Sequence, residues 1–243
     1  MEHPVVEIRK AGERGHFNFG WLDTWHSFSF GHYRDPKQQG FSDLLVINDD
    51  MVQPGMGFGT HPHRDMEIFT YILSGALEHK DSMGTGSIIR PGDVQMMSAG
   101  SGIQHSEFNP SKAELVHLLQ IWIMPDRRGV APRYQQVNFD ASEKRGKLRL
   151  IISPDSADGS LNVYQDVRVY AGLFDGEESF DLALAADRYA YLHVARGALE
   201  VNGLRLVAGD GARVRRETAL NFSKSENAEV LVWDLRPNEL PGY

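Results

Sequence analysis

The apolar residues of this chain come in short runs. Leu44–Ile47, Ile68–Leu73, Leu115–Ile123, Leu148–Ile152 and Val230–Trp233 are rich in Val, Ile, Leu, Phe and Tyr, and turn residues bound most of them. No long apolar stripe repeats every 3.6 residues. Short β-branched and aromatic runs between turns suit pleated strands and leave little length for helices, so the pattern predicts an all-β sandwich or barrel with few short helices. One such helix is expected over Asp181–Ala186.

A short internal repeat divides the chain. Gly75-Ala76-Leu77-Glu78 recurs as Gly197-Ala198-Leu199-Glu200, and Pro91-Gly92-Asp93 recurs loosely as Ala208-Gly209-Asp210. In each copy a strand, a turn and another strand precede a Gly-Asp turn. Repetition of such a unit predicts two similar β-barrels in tandem, and 243 residues are enough for two domains of roughly 100–150 each. The seam is expected near 125–150, where Met124-Pro125-Asp126-Arg127-Arg128-Gly129 closes an apolar run and Asp140–Lys147 is polar. This places one barrel in residues 1–140 and the other, with an irregular C-terminal tail, in 141–243. No long flexible linker intervenes, so the halves are expected to pack together.

Composition then excludes several functions. A net charge of −8 argues against broad binding to nucleic acid, which needs a basic face. The absence of Cys removes thiolate catalysis, zinc ribbons, iron–sulfur clusters and disulfides, and fits a reducing compartment. The opening MEHPVVEIRK has no apolar leader core, and no apolar run approaches the ~20 residues of a membrane span. A soluble, cytoplasmic protein is expected.

Any metal site must therefore use His, Asp and Glu, and nine of the ten His lie between His3 and His117. His61 and His63 are two apart, and His105 and Glu107 repeat that spacing. On a strand, residues i and i+2 face the same way. Two paired strands carrying His-x-His and His-x-Glu would aim three nitrogens and one carboxylate at one point. Such donors suit divalent Fe, Mn, Co, Ni, Cu or Zn. Four of them around a six-coordinate ion leave two positions for substrate or dioxygen. Glu67, four residues after His63, competes with Glu107 as the carboxylate.

The framing of these residues resembles the cupin family: Gly55, His61, His63, Glu67 and Gly75 match its first motif, and Gly102, His105 and Asn109 its second. Two departures stand out. Seven residues rather than six separate Glu67 from Gly75, and Gly100 occupies a position where cupins carry Pro. The first half further resembles the pirin family over nearly all of residues 9–125. The resemblance runs through Trp25-His26-Ser27-Phe28-Ser29-Phe30, Ile47-Asn48-Asp49-Asp50, Gly57-Phe58-Gly59-Thr60-His61-Pro62-His63 and Met97-Ser98-Ala99-Gly100-Ser101-Gly102-Ile103-Gln104-His105-Ser106-Glu107. It closes on Gln120-Ile121-Trp122-Ile123-Met124-Pro125, and Leu161–Asp166 is its clearest block in the second half.

That resemblance implies a bicupin, two tandem jelly-roll barrels, with a metal in the first held by His61, His63, His105 and Glu107, iron ahead of the other divalent ions. Glu67 then becomes structural or supports the ligands. The implied activity is that of a quercetin 2,3-dioxygenase, which opens the heterocycle of a flavonol with dioxygen and releases carbon monoxide and a depside, with Glu107 as the base for the hydroxyl proton. Pirin relatives also imply a second reading, a metal- or redox-sensing regulator that binds protein partners without turnover; a cupin isomerase or sugar-binding module is a third. In the second repeat, Ala183, Ala185, Phe222 and Lys224 stand near the ligand positions, so that barrel is expected to be metal-free. Elsewhere, His79 and Asp81 read as a solvated strand end, and His26 as aromatic packing with the metal pocket as the alternative. His117 reads as a sheet histidine, and Arg213, Arg215 and Arg216 as a solvated edge.

Overall fold

The structure, a computed structural model, describes residues 5–239. In the first half the strands are β1 (Val6–Arg9), β2 (Gly15–Asn18), β3 (Leu22–His26), β4 (Leu44–Val52), β5 (Gly57–His63), β6 (Glu67–Ser74), β7 (Leu77–Asp81), β8 (Gly86–Ile89), β9 (Asp93–Ser98), β10 (Ile103–Phe108), β11 (Val116–Ile123) and β12 (Arg133–Asn138). A single-turn helix, α1 (Ala141–Lys144), follows. Then come β13 (Leu148–Ser153), β14 (Leu161–Asn162), β15 (Val167–Gly176), β16 (Phe180–Ala183), β17 (Tyr189–Val201), β18 (Leu204–Val207), β19 (Gly211–Val214) and β20 (Ala219–Leu235). The all-β expectation holds.

Two sheets face each other in the first half: β12-β9-β6-β11-β4-β3-β2, and the shorter β5-β10-β7-β8. The second half is one strongly curved sheet, β1-β19-β17-β20-β15-β13-β14, with β16 and β18 attached to β20 and β17. The long strands β17 and β20 shift register against each other at several points. Such bulges bend and twist a strand, which lets one sheet wrap around its own core.

The largest apolar cluster joins the two sheets that meet back to back. Phe69, Leu119 and Ile121 from one side pack with Val169, Leu231 and Trp233 from the other. Alternation explains it. On β6, Phe69, Tyr71 and Leu73 face the second barrel, while Ile68 and Ile72 belong to clusters inside the first. A strand buried on both faces reads as a continuous apolar run. Each large side chain so buried contributes about 1.5–3 kcal/mol, so the halves are held together by a shared core. The repeat is also structural: Gly75 and Gly197 have φ of +78° and +64°, Gly92 and Gly209 +94° and +85°. At Gly75 and Gly197 a Cβ would also strike backbone carbonyls, so turn geometry and close approach both call for Gly.

Three expectations change. Asp181–Ala186 is not helical; β16 pairs with β20, Leu182 opposite Leu220, because sheet pairing and burial of Leu184 outweigh a weak local preference. β1, though within residues 1–140, crosses to the second sheet and pairs with β19. That covers the edge where Arg213 and Arg215 stand, so both are buried instead of solvated. Arg213 bonds Glu7 at 2.6 Å and Gln38 at 2.7 Å, and Arg215 bonds Glu239 at 3.0 Å and lies over the Phe41 ring. Of the expected irregular tail, residues 236–239 carry no regular element, and 240–243 lie outside the described residues.

Candidate metal centre

The site sits inside the first barrel, on its short sheet. β5 and β10 run antiparallel with His61 opposite His105 and His63 opposite Ile103. A bulge between His105 and Glu107 shifts the register there. β10 is also paired with β7, setting His105 opposite Asp81 and Glu107 opposite His79. The spacing of two residues thus does what the sequence predicts for the imidazoles: donor atoms of His61, His63 and His105 all lie within 4.8 Å of one another. A second set, His79, His105 and Glu107, meets the same limit, so His105 is common to both and Glu107 lies beside it.

Hydrogen bonds decide which nitrogen points inward. His61 Nδ1 is 2.8 Å from the Gly59 carbonyl, which only accepts, so Nδ1 carries the proton and Nε2 the lone pair. His79 Nε2 is 3.0 Å from Asp81 Oδ2, and His79 Nδ1 is 3.4 Å from His105 Nδ1. With Asp81 accepting from His79, His79 Nδ1 accepts from His105, and His105 Nε2 keeps its lone pair. Burial pushes the Asp81 carboxyl up, but the His79 bond and the Thr85 and Met83 N–H groups outweigh it and hold the carboxyl below its ordinary range. The relay is anchored on an ionised group.

The consequence is a donor set that wants a cation. His61 Nε2 and His105 Nε2 are 3.0 Å apart, each with a lone pair toward the other. A shared proton is a poor remedy. Burial, then the neighbouring imidazoles, lower His105 to about 3, and burial followed by His105 and His61 lowers His63 to about 4. At neutral pH both are neutral imidazoles, the form that ligates metal. Glu107 is buried, with Gln120 Nε2 donating to Oε2 at 2.8 Å and the Thr70 hydroxyl 3.5 Å from Oε1. The residues present fit a divalent metal.

A cavity of about 330 Å³ opens from His61 and His63. Phe17, Phe19, Phe30, Phe58 and Trp122 supply apolar walls, and Trp122 meets the His63 ring edge-on at 5.0 Å between centroids. Besides His61 and His63, the polar lining is Thr24, His26, His32, Asn48, Asp50 and Gln120. Burial raises the Asp50 carboxyl to about 7; the adjacent Thr24 hydroxyl pulls it down only in part, and Asp49 and Glu107 add to the rise.

Sequence reasoning missed several of these residues. His79 and Asp81 are not a solvated strand end; both side chains are fully buried behind His105. Their spacing, the same His-x-acid as His105 and Glu107, was the available signal. His26 lines the cavity as well as packing on Phe30. Glu67 lies apart from both donor sets, accepting from Ser98 Oγ at 3.0 Å and Tyr164 N at 3.2 Å, so it ties β6 to the second half. His117 bonds Asp49 at 2.6 Å on the other face of the sheet. Both potential metal-holding sets among the described residues lie on β5, β7 and β10.

Two tandem β-barrels with an imidazole-rich donor set inside the first define a bicupin with a metal-binding His/Glu site. Comparison with known proteins narrows this: residues 7–123 match the family described as Pirin and residues 150–235 the quercetinase C-terminal cupin domain. A protein from Escherichia coli K12 named quercetin 2,3-dioxygenase is 49% identical over 233 residues, 96% of this chain and 100% of that one. A pirin-like protein of Caulobacter vibrioides is 41% identical, over 95% of this chain and 99% of the other. The crystal structure of bacterial pirin YhhW from E. coli in complex with nickel(II) superposes with a TM-score of 0.91 at 47% identity, covering 96% of this chain and 99% of that one. The chain belongs to the pirin family.

Proposed function

We propose that this protein is a metal-dependent dioxygenase that opens the heterocycle of a flavonol such as quercetin. The observation that carries the reading is the convergence of lone pairs from His61 and His105, with His63 beside them, where His61 and His63 line an aromatic-walled cavity. His61, His63, His105 and Glu107 would hold the ion, with iron first and Mn, Co, Ni, Cu or Zn as the other candidates; the nickel-bound relative supports a divalent metal. When bound, such an ion supplies a Lewis acid and a meeting point for substrate and dioxygen.

The chain's own groups do the rest. Phe17, Phe19, Phe30, Phe58 and Trp122 bind a flat aromatic ligand and exclude water. Glu107 accepts the proton of the flavonol hydroxyl, and Gln120 and Thr70 hold its carboxylate in place for that transfer. The relay from Asp81 through His79 keeps His105 in its ligating tautomer. The described helices include none long and apolar enough to cross a membrane, and the absence of Cys suits the reducing cytoplasm, where we place the protein.

Oxygen uptake with quercetin, measured beside the metal content of the same sample, tests this. The Glu107→Gln variant is expected to lose at least ~100-fold in rate, the scale of a general base. A variant that kept its metal and the full rate would remove Glu107 from the mechanism. A fully loaded wild type that consumed no oxygen with quercetin would remove the reaction.

A further inference from the structure

Thr24 stands directly opposite Asp50, and His26 directly opposite Asn48, on the paired strands β3 and β4. All four line the cavity beside His61 and His63, and all four are buried, 2% to 6% exposed. Each also has one polar atom without a hydrogen-bond partner among the described residues: Thr24 Oγ1, His26 Nδ1, Asn48 Oδ1 and Asp50 Oδ1. The Thr24 hydroxyl lies next to the Asp50 carboxyl, but outside hydrogen-bonding geometry. Buried polar atoms are nearly always paired. Four unpaired ones, on two facing pairs of one strand ladder, are a wall built for something that enters the cavity.

The chemistry of the wall says what enters. Asp50, raised to about 7, is present in both forms near neutral pH, the carboxylate accepting and the acid also donating. The His26 ring is neutral, because burial lowers it to about 4, so it offers one N–H and one lone pair. The Asn48 amide can donate or accept, and Thr24 can serve either way. The wall both donates and accepts, as a hydroxyl group does. It is also joined to the metal end by aromatic contacts: His63 to Trp122, Trp122 to Phe30, and Phe30 to His26, with centroids 5.0, 5.3 and 5.5 Å apart. A flat ligand held beside His61 and His63 would lay an edge against these polar groups.

We propose that Thr24, His26, Asn48 and Asp50 form a recognition subsite for phenolic hydroxyl groups, distinct from the metal donors, which selects aromatic ligands hydroxylated at positions other than those the metal would take. The proposal deepens the dioxygenase reading by assigning the substrate's peripheral hydroxyls to named partners. It rests on that reading for the ligand's orientation.

Binding to metal-free protein tests the subsite without turnover. Quenching of tryptophan fluorescence is read with quercetin and with 3-hydroxyflavone, which keeps the 3-hydroxyl and the carbonyl but lacks the other hydroxyls. A purely apolar cavity favours 3-hydroxyflavone. The subsite instead makes quercetin bind at least about tenfold more tightly, because the analogue leaves the polar groups unfilled. Asp50→Asn, which keeps the shape, and Thr24→Val are each expected to bring the ratio below about threefold. Equal affinities in the wild type, or an unchanged ratio in both variants, would overturn the subsite. The two readings fail separately: absent oxygen uptake with the ratio intact counts against catalysis alone, and normal uptake with equal affinities counts against the subsite alone.

Discussion

Gly57→Ala, a change that touches no proposed ligand, should nonetheless disable the metal centre. Gly57 lies on β5 opposite Phe108 of β10. A Cβ at this position would stand 2.2 Å from the Glu107 carbonyl oxygen and 2.5 Å from the Phe108 Cα. Both obstacles are backbone, so no rotamer change relieves them. Ordinary contact begins at 3.4 Å, so β5 must retreat by roughly 1 Å, several times the ~0.2 Å tolerance of a metal–ligand distance. His61 and His63 ride on β5, His105 and Glu107 on β10, so the retreat opens the gap between the two halves of the donor set. We expect nickel affinity to fall by up to ~100-fold, the upper range for changes that misplace ligands without removing them. Gly59→Ala is the control: same strand, same substitution, and nothing within 4 Å of the new methyl. Its affinity should stay within about threefold of wild type, since an exposed methyl misplaces no ligand. Competition against a chromophoric chelator reads both variants, with circular dichroism verifying the fold. Equal nickel affinity in the two would refute the argument that the register of β5 against β10 sets the site.

Other expectations concern stability. His193 is fully buried with neither ring nitrogen bonded among the described residues, and burial foremost, with Arg14 adding to it, lowers it to about 4. The unfolded chain therefore binds the extra proton first. Stability is lost as pH falls from the ordinary 6.5 through about 4, in total about 3 kcal/mol. Urea titrations at several pH values should show that slope flattened in His193→Met; an identical slope would contradict it. Tyr71 Oη donates to Glu229 at 2.7 Å and accepts from the buried Lys144 at 3.1 Å. Tyr71→Phe should cost about 3 kcal/mol in denaturant unfolding, because two buried charged groups lose a partner at once. Asp210 holds Lys10 Nζ at 2.9 Å and the Ala11 N–H at 2.8 Å. Asp210→Ala should speed hydrogen exchange across β1 at least about tenfold, because both charge-assisted bonds are lost; unchanged exchange would mean that the β19 pairing alone retains the strand.

Local information determined much of this protein. Short β-branched runs bounded by turns specify strands, because period-2 patterning and turn chemistry act over a few residues. The repeated glycines mark the same left-handed turns in both barrels. His61, His63 and His105 could be read as a group because a strand places i and i+2 on one face, and the pairing of β5 with β10 is what unites the two pairs. What depended on distant contacts was invisible. Asp181–Ala186 looked helical until β20 lay beside it, and Arg213 and Arg215 looked solvated until β1 crossed over from the other end of the chain. His79 and Asp81 gain their meaning only from the ladder between β7 and β10. Asn48 and Asp50 sit in a block that resembles the pirin family, but nothing in it gives them a role, and Thr24 carries no motif. Their role comes from lying together, buried and unpaired, on the wall of one cavity, and burial is decided by the packing of two sheets rather than by any stretch of sequence.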